Sequence, residues 1–82
     1  MEKTIHNPVY GELIQWLSQK RATSGFTIRD LADTLGWHHS ALGRIETLER
    51  RLDMLEYVKL CDALGCDPHE GLQIVMRRSK QS

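Results

Sequence analysis

The chain has 82 residues, and its eleven Lys and Arg side chains balance eleven Asp and Glu side chains. This length allows one domain with a small core, and zero net charge neither indicates nor excludes a nucleic-acid partner. Cys61 and Cys66 lack the CxxC spacing of redox or zinc sites, and no apolar run reaches the roughly 18 residues of a membrane span. We therefore expect a soluble cytoplasmic protein with reduced thiols, which excludes the disulfide-stabilised and membrane-spanning classes.

The beginning of the chain predicts an arm and a first helix. Residues 1–8 lack helical periodicity and end in Asn7-Pro8, a dipeptide that favours a turn, so we expect an N-terminal arm. Between residues 9 and 23 apolar side chains recur at three- and four-residue spacing, which predicts an amphipathic helix. Ser24-Gly25 supplies its end.

Two short helices separated by a glycine turn are predicted next. Thr27 stands three residues before Asp30, as in a capping box, and starts the first of them. Gly36 ends it, because glycine tolerates the left-handed backbone of a tight turn. The following helix should begin between His38 and Ser40. The residues of these two helices expected in the core are Ile28, Leu31, Ala32, Leu35, Leu42 and Ile45.

Start and stop signals recur toward the C-terminus. Asp53 and Glu56 form a second capping box, and the apolar stripe of the helix that follows is either Leu55, Val58, Cys61 and Leu64 or Met54, Tyr57, Cys61 and Leu64. Asp67-Pro68 starts a fifth helix, and residues 77–82 form a basic tail. Because strand-like alternation is missing from the sequence, the prediction is a compact, all-α, five-helix domain over residues 9–76.

The order of these segments resembles the XRE or lambda-repressor-like (Cro/C1-type) helix-turn-helix family. The resemblance is carried by the run from Phe26 to Trp37, its continuation from Ser40 to Glu46, and the segment from Glu49 to Gly65. It implies a DNA-binding transcriptional regulator in which helices two and three form the helix-turn-helix and helix three enters the major groove.

The resemblance also implies which residues meet DNA. The residues that would contact base edges are His39, Ser40 and Ala41, with Arg44 one turn later. A guanidinium such as that of Arg44 donates two parallel hydrogen bonds to guanine O6 and N7, giving about 1–3 kcal/mol of discrimination. The residues expected at the phosphate backbone are Thr27, Arg29, His38, Arg50 and Arg51.

Three positions depart from the family pattern, and one pair agrees with it. Ile28 stands where glutamine is common, so we expect it to pack rather than to contact DNA. Thr47-Leu48 replaces an asparagine-glycine turn, which predicts that helix three continues for another half turn. Lys20 replaces a leucine, with its stem along the core edge. Arg21 and Glu46 match positions that pair in the family, and we predict that ion pair here.

The basic residues around helix three also have simpler explanations. His38 and His39 are adjacent, but neighbouring helical residues diverge by about 100° and no partner stands at metal-ligand spacing. Helix capping by His38 is therefore the simpler role, and no metal is expected. Arg50 and Arg51 stay open between phosphate contacts and a solvated loop.

Other conspicuous residues indicate packing rather than chemistry. Cys61 and Cys66 fit core or helix-end positions better than sensor thiols. Trp16 and Trp37 fit packing positions, although Trp37 could also border the DNA backbone. No catalytic arrangement of side chains can be placed on converging elements, so neither an enzyme nor a cofactor is expected.

One recognition helix covers only a few base pairs, which predicts a homodimer on an inverted repeat, acting as a repressor by steric occlusion. The apolar residues of helix five predict the dimer interface, namely Leu72, Ile74, Val75 and Met76. The alternative is a protein-interaction module, such as an antitoxin-like or co-regulator subunit that holds a toxin or a phage or plasmid protein.

Overall fold

The computed structural model describes residues 7–81, with side chains through residue 78. Within them lie five α-helices and no strand: α1 (Pro8–Thr23), α2 (Ile28–Leu35), α3 (His39–Glu46), α4 (Met54–Leu64) and α5 (Pro68–Gln81). The all-α prediction is confirmed. Residues 1–6 of the predicted arm lie outside the described residues, and Pro8 already belongs to α1. Residues 77–81 belong to α5 rather than to a separate tail.

Side chains cap the helix starts, and the caps of α2, α3 and α4 are those that the sequence predicts. The Asn7 side chain accepts a hydrogen bond from the backbone N–H two residues on, at 2.8 Å. Thr27 with Asp30, and Asp53 with Glu56, form reciprocal capping boxes at α2 and α4. His38 caps α3. These bonds satisfy amide groups that have no partner inside the helix, so each start is fixed locally.

The ends of α1 to α4 share one backbone motif. In each, two successive N–H groups bond back to carbonyls of the last turn, as Gly65 does to Asp62 at 3.2 Å and Cys66 to Cys61 at 2.9 Å. This is the Schellman motif, which needs a left-handed residue. Three of these residues are glycines, and the fourth is Leu48 at φ 64°.

Leu48 overturns the expectation that helix three is extended. The last residue of α3 is Glu46, and Leu48 itself adopts the left-handed conformation that glycine usually supplies. That conformation costs an L-residue roughly 1–2 kcal/mol. Packing of the Leu48 side chain against the core offsets this conformational cost.

The core lies between the first four helices, and α5 closes one side. The fully or nearly buried apolar residues are Ile14, Leu17, Leu31, Ala32, Leu42, Ile45, Tyr57, Leu60 and Cys61. Neither predicted stripe of α4 holds completely, because Met54, Leu55 and Val58 are exposed. The helix is thus rotated to bury Tyr57, Leu60 and Cys61.

α5 approaches its neighbours closely at a glycine. A Cβ at Gly71 would overlap the Tyr57 hydroxyl and lie 2.8 Å from the Trp16 ring. The same hydroxyl donates a hydrogen bond to the Pro68 carbonyl. The Lys20 residue is half-buried, and its ammonium lies 5.9 Å from the centroid of the Trp16 ring, in line with the expectation that its stem follows the core edge. Gly71 therefore sets how closely α5 packs.

Candidate nucleic-acid interface

One face of α3 is exposed because its opposite face is anchored in the core. Leu42 and Ile45 are each 1% exposed, so the side chains half a turn away point to solvent. The exposed members of the predicted base-contacting set are His39, Ser40 and Arg44, whereas Ala41 is half-buried. Among the described residues, the Arg44 guanidinium has no hydrogen-bond or ion-pair partner. Its donors are thus available to a ligand.

His38 and Ser40 are coupled at the start of α3. The Nδ1 atom of His38 accepts a hydrogen bond from the Ser40 N–H at 3.4 Å and lies 2.8 Å from the Ser40 hydroxyl oxygen. With Nδ1 assigned as the acceptor, the neutral ring carries its proton on Nε2, which can donate to an anion. The predicted capping role of His38 is confirmed, and the cap leaves one donor for another partner.

An ion pair fixes α3 relative to the rest of the domain. Arg21 Nε donates to Glu46 Oε2 at 2.6 Å and Nη2 donates to Oε1 at 3.1 Å. A third donor, Nη1, reaches the Phe26 carbonyl at 2.8 Å. The two side chains are only 19% and 15% exposed, so solvent screens the pair less than a surface pair. The predicted pair is confirmed, and it joins the last turns of α1 and α3.

The two arginines of the loop between α3 and α4, Arg50 and Arg51, differ in their contacts. Arg50 makes two hydrogen bonds to the Glu56 carboxylate, at 3.3 and 2.9 Å, and this hydrogen bonding lowers the pKa of Glu56. Arg51 is exposed and, among the described residues, has no such partner. Only Arg51 therefore presents an unengaged guanidinium from this loop.

The same loop is held from its other side by Tyr10. The Leu52 N–H donates to the Tyr10 hydroxyl at 2.9 Å, which ties the first helix to a loop 42 residues away in sequence. Sequence reasoning missed this contact, as it missed the pairing of Arg50 with Glu56. Only the spacing of Arg50 before an acidic capping residue could have suggested the latter.

Two residues predicted at the phosphate backbone lie at the start of α2. Thr27 and Arg29 are exposed. The Thr27 hydroxyl oxygen accepts from the Asp30 N–H at 3.0 Å, which leaves its own O–H as a donor. Ile28 between them is half-buried and packs against the core, as expected. The start of α2 thus offers one hydroxyl and one guanidinium near the turn that leads to α3.

The comparisons with known proteins agree with this geometry. The helix-turn-helix family HTH_3 matches residues 17–70. The chain belongs to the XRE-type helix-turn-helix family. A solved structure of an XRE-family like protein from Pseudomonas syringae pv. tomato str. DC3000 is 36% identical, covers 92% of each chain and superposes with a TM-score of 0.82. None of the curated protein sequences compared with the chain matches it. Membership of this family makes the chain a DNA-binding regulator in the broad sense.

The tryptophans and cysteines of this XRE-family chain lie at packing positions. Trp37 and Trp16 are partly buried and pack against the core. Cys61 and Cys66 are free thiols, and burial raises the pKa of Cys61 to about 12, which disfavours the reactive thiolate. Within residues 7–81 there is no cluster of three or more potential metal ligands, and none of the helices there is long and apolar enough to cross a bilayer.

The residues predicted for a dimer interface divide between two sides of α5. Leu72 and Met76 are exposed, and half-buried Val75 lines a groove beside them. Ile74 is also half-buried but lines a different depression, with Gln15 and Gln19 of α1. The structure therefore brings three of the four residues together and separates Ile74 from them.

Proposed function

We propose that this XRE-family chain recognises a specific operator in duplex DNA and represses transcription by occluding it. The observation that carries the proposal is the exposed face of α3, where the unengaged Arg44 guanidinium projects from a helix fixed by the Arg21 and Glu46 pair. Such a face matches the donor and acceptor pattern of the major groove. Arg44 would read guanine, and His39, Ser40 and Ala41 would meet neighbouring base edges.

Phosphate contacts would orient the docked domain. The groups suited to this role are the Arg51 and Arg29 guanidiniums, the Thr27 hydroxyl and the His38 Nε2–H. Arg50 leaves this set, because its guanidinium already bonds the Glu56 carboxylate. We assign it instead to holding the loop from which Arg51 projects.

Homodimer formation on an inverted repeat follows from the short length of α3, the helix proposed to read the DNA. An eight-residue helix covers a few base pairs, and a two-fold partner doubles the site, with half-sites about 10 to 10.5 base pairs apart. A cytoplasmic location is consistent with a DNA target and with free thiols. A toxin or a phage or plasmid protein remains a further candidate partner.

The test is selection from random duplex DNA at two salt concentrations. The wild type, Arg44→Ala and Arg51→Ala are compared with Lys59→Ala, which removes an exposed cation from α4, outside the helix-turn-helix. We expect an enriched inverted repeat for the wild type and for Lys59→Ala. Arg44→Ala should relax one base preference, whereas Arg51→Ala should weaken binding to all sequences and reduce the salt slope by about 1.

The second candidate function is a protein-interaction module. It is favoured by the exposed apolar residues Met54 and Leu55 on α4. An enriched motif with salt-dependent affinity would exclude it as the main function. No motif and no salt-dependent binding would overturn the operator proposal and favour this one.

A further inference from the structure

Two groups of Ser40 share one ring nitrogen at the start of α3. The Nδ1 atom of His38 lies 2.8 Å from the Ser40 hydroxyl oxygen and 3.4 Å from the Ser40 backbone nitrogen, whose N–H points at it. A backbone N–H only donates, whereas each nitrogen of a neutral imidazole either donates or accepts. A proton on Nδ1 would face the amide proton, so the geometry assigns Nδ1 as the acceptor of the neutral ring.

The acceptor role of Nδ1 fixes the direction of the Ser40 hydroxyl. Because Nδ1 carries no proton, the contact of 2.8 Å is a hydrogen bond that the hydroxyl donates. A hydroxyl has one proton and two lone pairs, so Ser40 keeps only its acceptor lone pairs for another partner. Ser40 is exposed, and these lone pairs are therefore open to a ligand that meets α3.

The ring of His38 is also held by its neighbour. It stacks on the His39 ring, with the centroids 4.9 Å apart and the planes at 23°. This stacking and the bond from the Ser40 N–H keep the ring where it receives the hydroxyl proton. The other ring nitrogen, Nε2, carries the ring proton. The pair thus offers a ligand two different groups, a donor on His38 and an acceptor on Ser40.

We propose that Ser40, oriented by His38, selects a base with an exocyclic amine in the major groove, which is adenine N6 or cytosine N4. Guanine and thymine present the acceptors O6 and O4 there instead. The inference rests on the proposed operator function and specifies one position of the operator. An amine donates to Ser40 while the bond to Nδ1 persists, whereas guanine or thymine is bound only if the hydroxyl turns away and that bond is lost.

The arrangement couples base selection to a backbone contact. The phosphate contact proposed for His38 needs the same tautomer, with the proton on Nε2. Hydrogen bonds in a chain polarise one another, so a phosphate bound at Nε2 makes Nδ1 a stronger acceptor for the Ser40 hydroxyl. His38 is therefore a positioning residue for Ser40 in addition to its own contact.

The orientation is tested first without DNA. Long-range proton–nitrogen correlation spectra of the full chain, at a pH where imidazoles are neutral, show which nitrogen of each ring carries the proton. The His38 signals are those that disappear in His38→Gly, since glycine is tolerated at a helix N-cap. We expect the proton on Nε2 in the wild type and in Ser40→Ala, which keeps the backbone donor. A proton on Nδ1 would overturn the inference, whatever DNA selection gives.

Selection from random duplex DNA tests the base preference. For the wild type we expect adenine or cytosine at one position, favoured about two- to tenfold over guanine and thymine. Ser40→Ala should lose this preference, and so should His38→Gly, which frees the hydroxyl to donate. The guanine preference assigned to Arg44 should stay unchanged in both variants. Lys59→Ala, which removes an exposed cation from α4, is the matched control and should keep both preferences.

The amine itself is tested with analogues that lack only this group, purine in place of a selected adenine or 2-pyrimidinone in place of a selected cytosine. The loss of affinity should be about two- to tenfold larger for the wild type than for Ser40→Ala, which shares any effect of the analogue on the duplex. An equal loss in both proteins would overturn the inference.

The inference and the operator proposal fail in different ways. A motif in which the position that depends on Ser40 is guanine or thymine, or in which no position depends on Ser40, would overturn the inference and leave the operator proposal intact. A wild type that enriches no motif overturns the operator proposal and, with it, the assignment of a base to Ser40.

Discussion

Arg21 and Glu46 hold the recognition helix through two hydrogen bonds, Nε to Oε2 at 2.6 Å and Nη2 to Oε1 at 3.1 Å. Both side chains are mostly buried, and Arg21 also bonds the Phe26 carbonyl. Three segments of the domain therefore meet at one guanidinium: the end of α1, the loop before α2 and the end of α3. The position of the exposed α3 face depends on this contact.

Replacing Arg21 should lower both stability and DNA affinity. We expect Arg21→Met to lower the free energy of unfolding by about 1–3 kcal/mol, because it leaves the Glu46 carboxylate and the Phe26 carbonyl without their charged donor. The stability of Arg21→Lys should fall between that of the wild type and that of Arg21→Met, since an ammonium keeps the charge but lacks the planar fork of a guanidinium. Urea denaturation of Arg21→Met, of Glu46→Gln and of the double variant gives the coupling energy between the two side chains. A coupling near zero would contradict the role assigned to the pair.

At Leu48, glycine should be a more stable replacement than alanine. Both Leu48→Gly and Leu48→Ala lose the packing of the side chain, but only glycine removes the cost of the left-handed backbone at φ 64°. We therefore expect the glycine variant to be more stable than the alanine variant by about 1 kcal/mol, the reverse of the order inside a helix. Thermal denaturation measures the difference. Equal stability would mean that the turn relaxes on truncation.

Two helical glycines should respond in opposite directions to alanine. Gly71→Ala places a methyl against Tyr57 and Trp16 and should destabilise the domain by about 1–3 kcal/mol. Gly43→Ala, in α3, meets nothing within 4 Å and should stabilise it by roughly 0.5–1 kcal/mol through helix propensity. Parallel melting curves without DNA test both. A neutral Gly71→Ala would show that α5 can move away from α1 at little cost.

The Arg50 and Glu56 pair predicts a pH dependence. Hydrogen bonding to Arg50 lowers the pKa of Glu56 below its ordinary value of 4.5, so the unfolded chain binds more protons than the folded one as pH falls past that value. The stabilisation is therefore present above about pH 4.5 and is lost as pH falls through the folded-state pKa. Arg50→Ala should reduce this loss, with Arg51→Ala as the matched control. Unfolding curves between neutral and acidic pH measure it.

Much of the fold follows from local sequence signals. The capping pairs at Thr27 and Asp53 and the glycines at 36 and 65 specify where helices begin and end within a few residues, so short-range chemistry was enough to predict them. Leu48 escaped this reasoning because nothing in a leucine signals a left-handed turn. There, tertiary packing of the side chain overrides the local preference.

The candidate site was only partly predictable for a different reason. The Arg21 and Glu46 pair was predicted through the family resemblance, whereas the bond from Leu52 to Tyr10 joins segments whose proximity appears only in three dimensions. The α4 stripe was ambiguous because apolar residues surround much of that helix. Met54 and Val58 satisfy a helical period as well as core residues do, yet they lie outside the core.

The repeated helix-end motif has a consequence for how the chain reaches its working form. The bonds that reverse the backbone after α1, α2, α3 and α4 each span at most six residues, so each turn closes without waiting for distant segments. Chains dominated by such short-range contacts cross the folding barrier in microseconds to milliseconds. Under the proposed operator function, occupancy of the DNA would then follow the concentration of the chain without a folding delay.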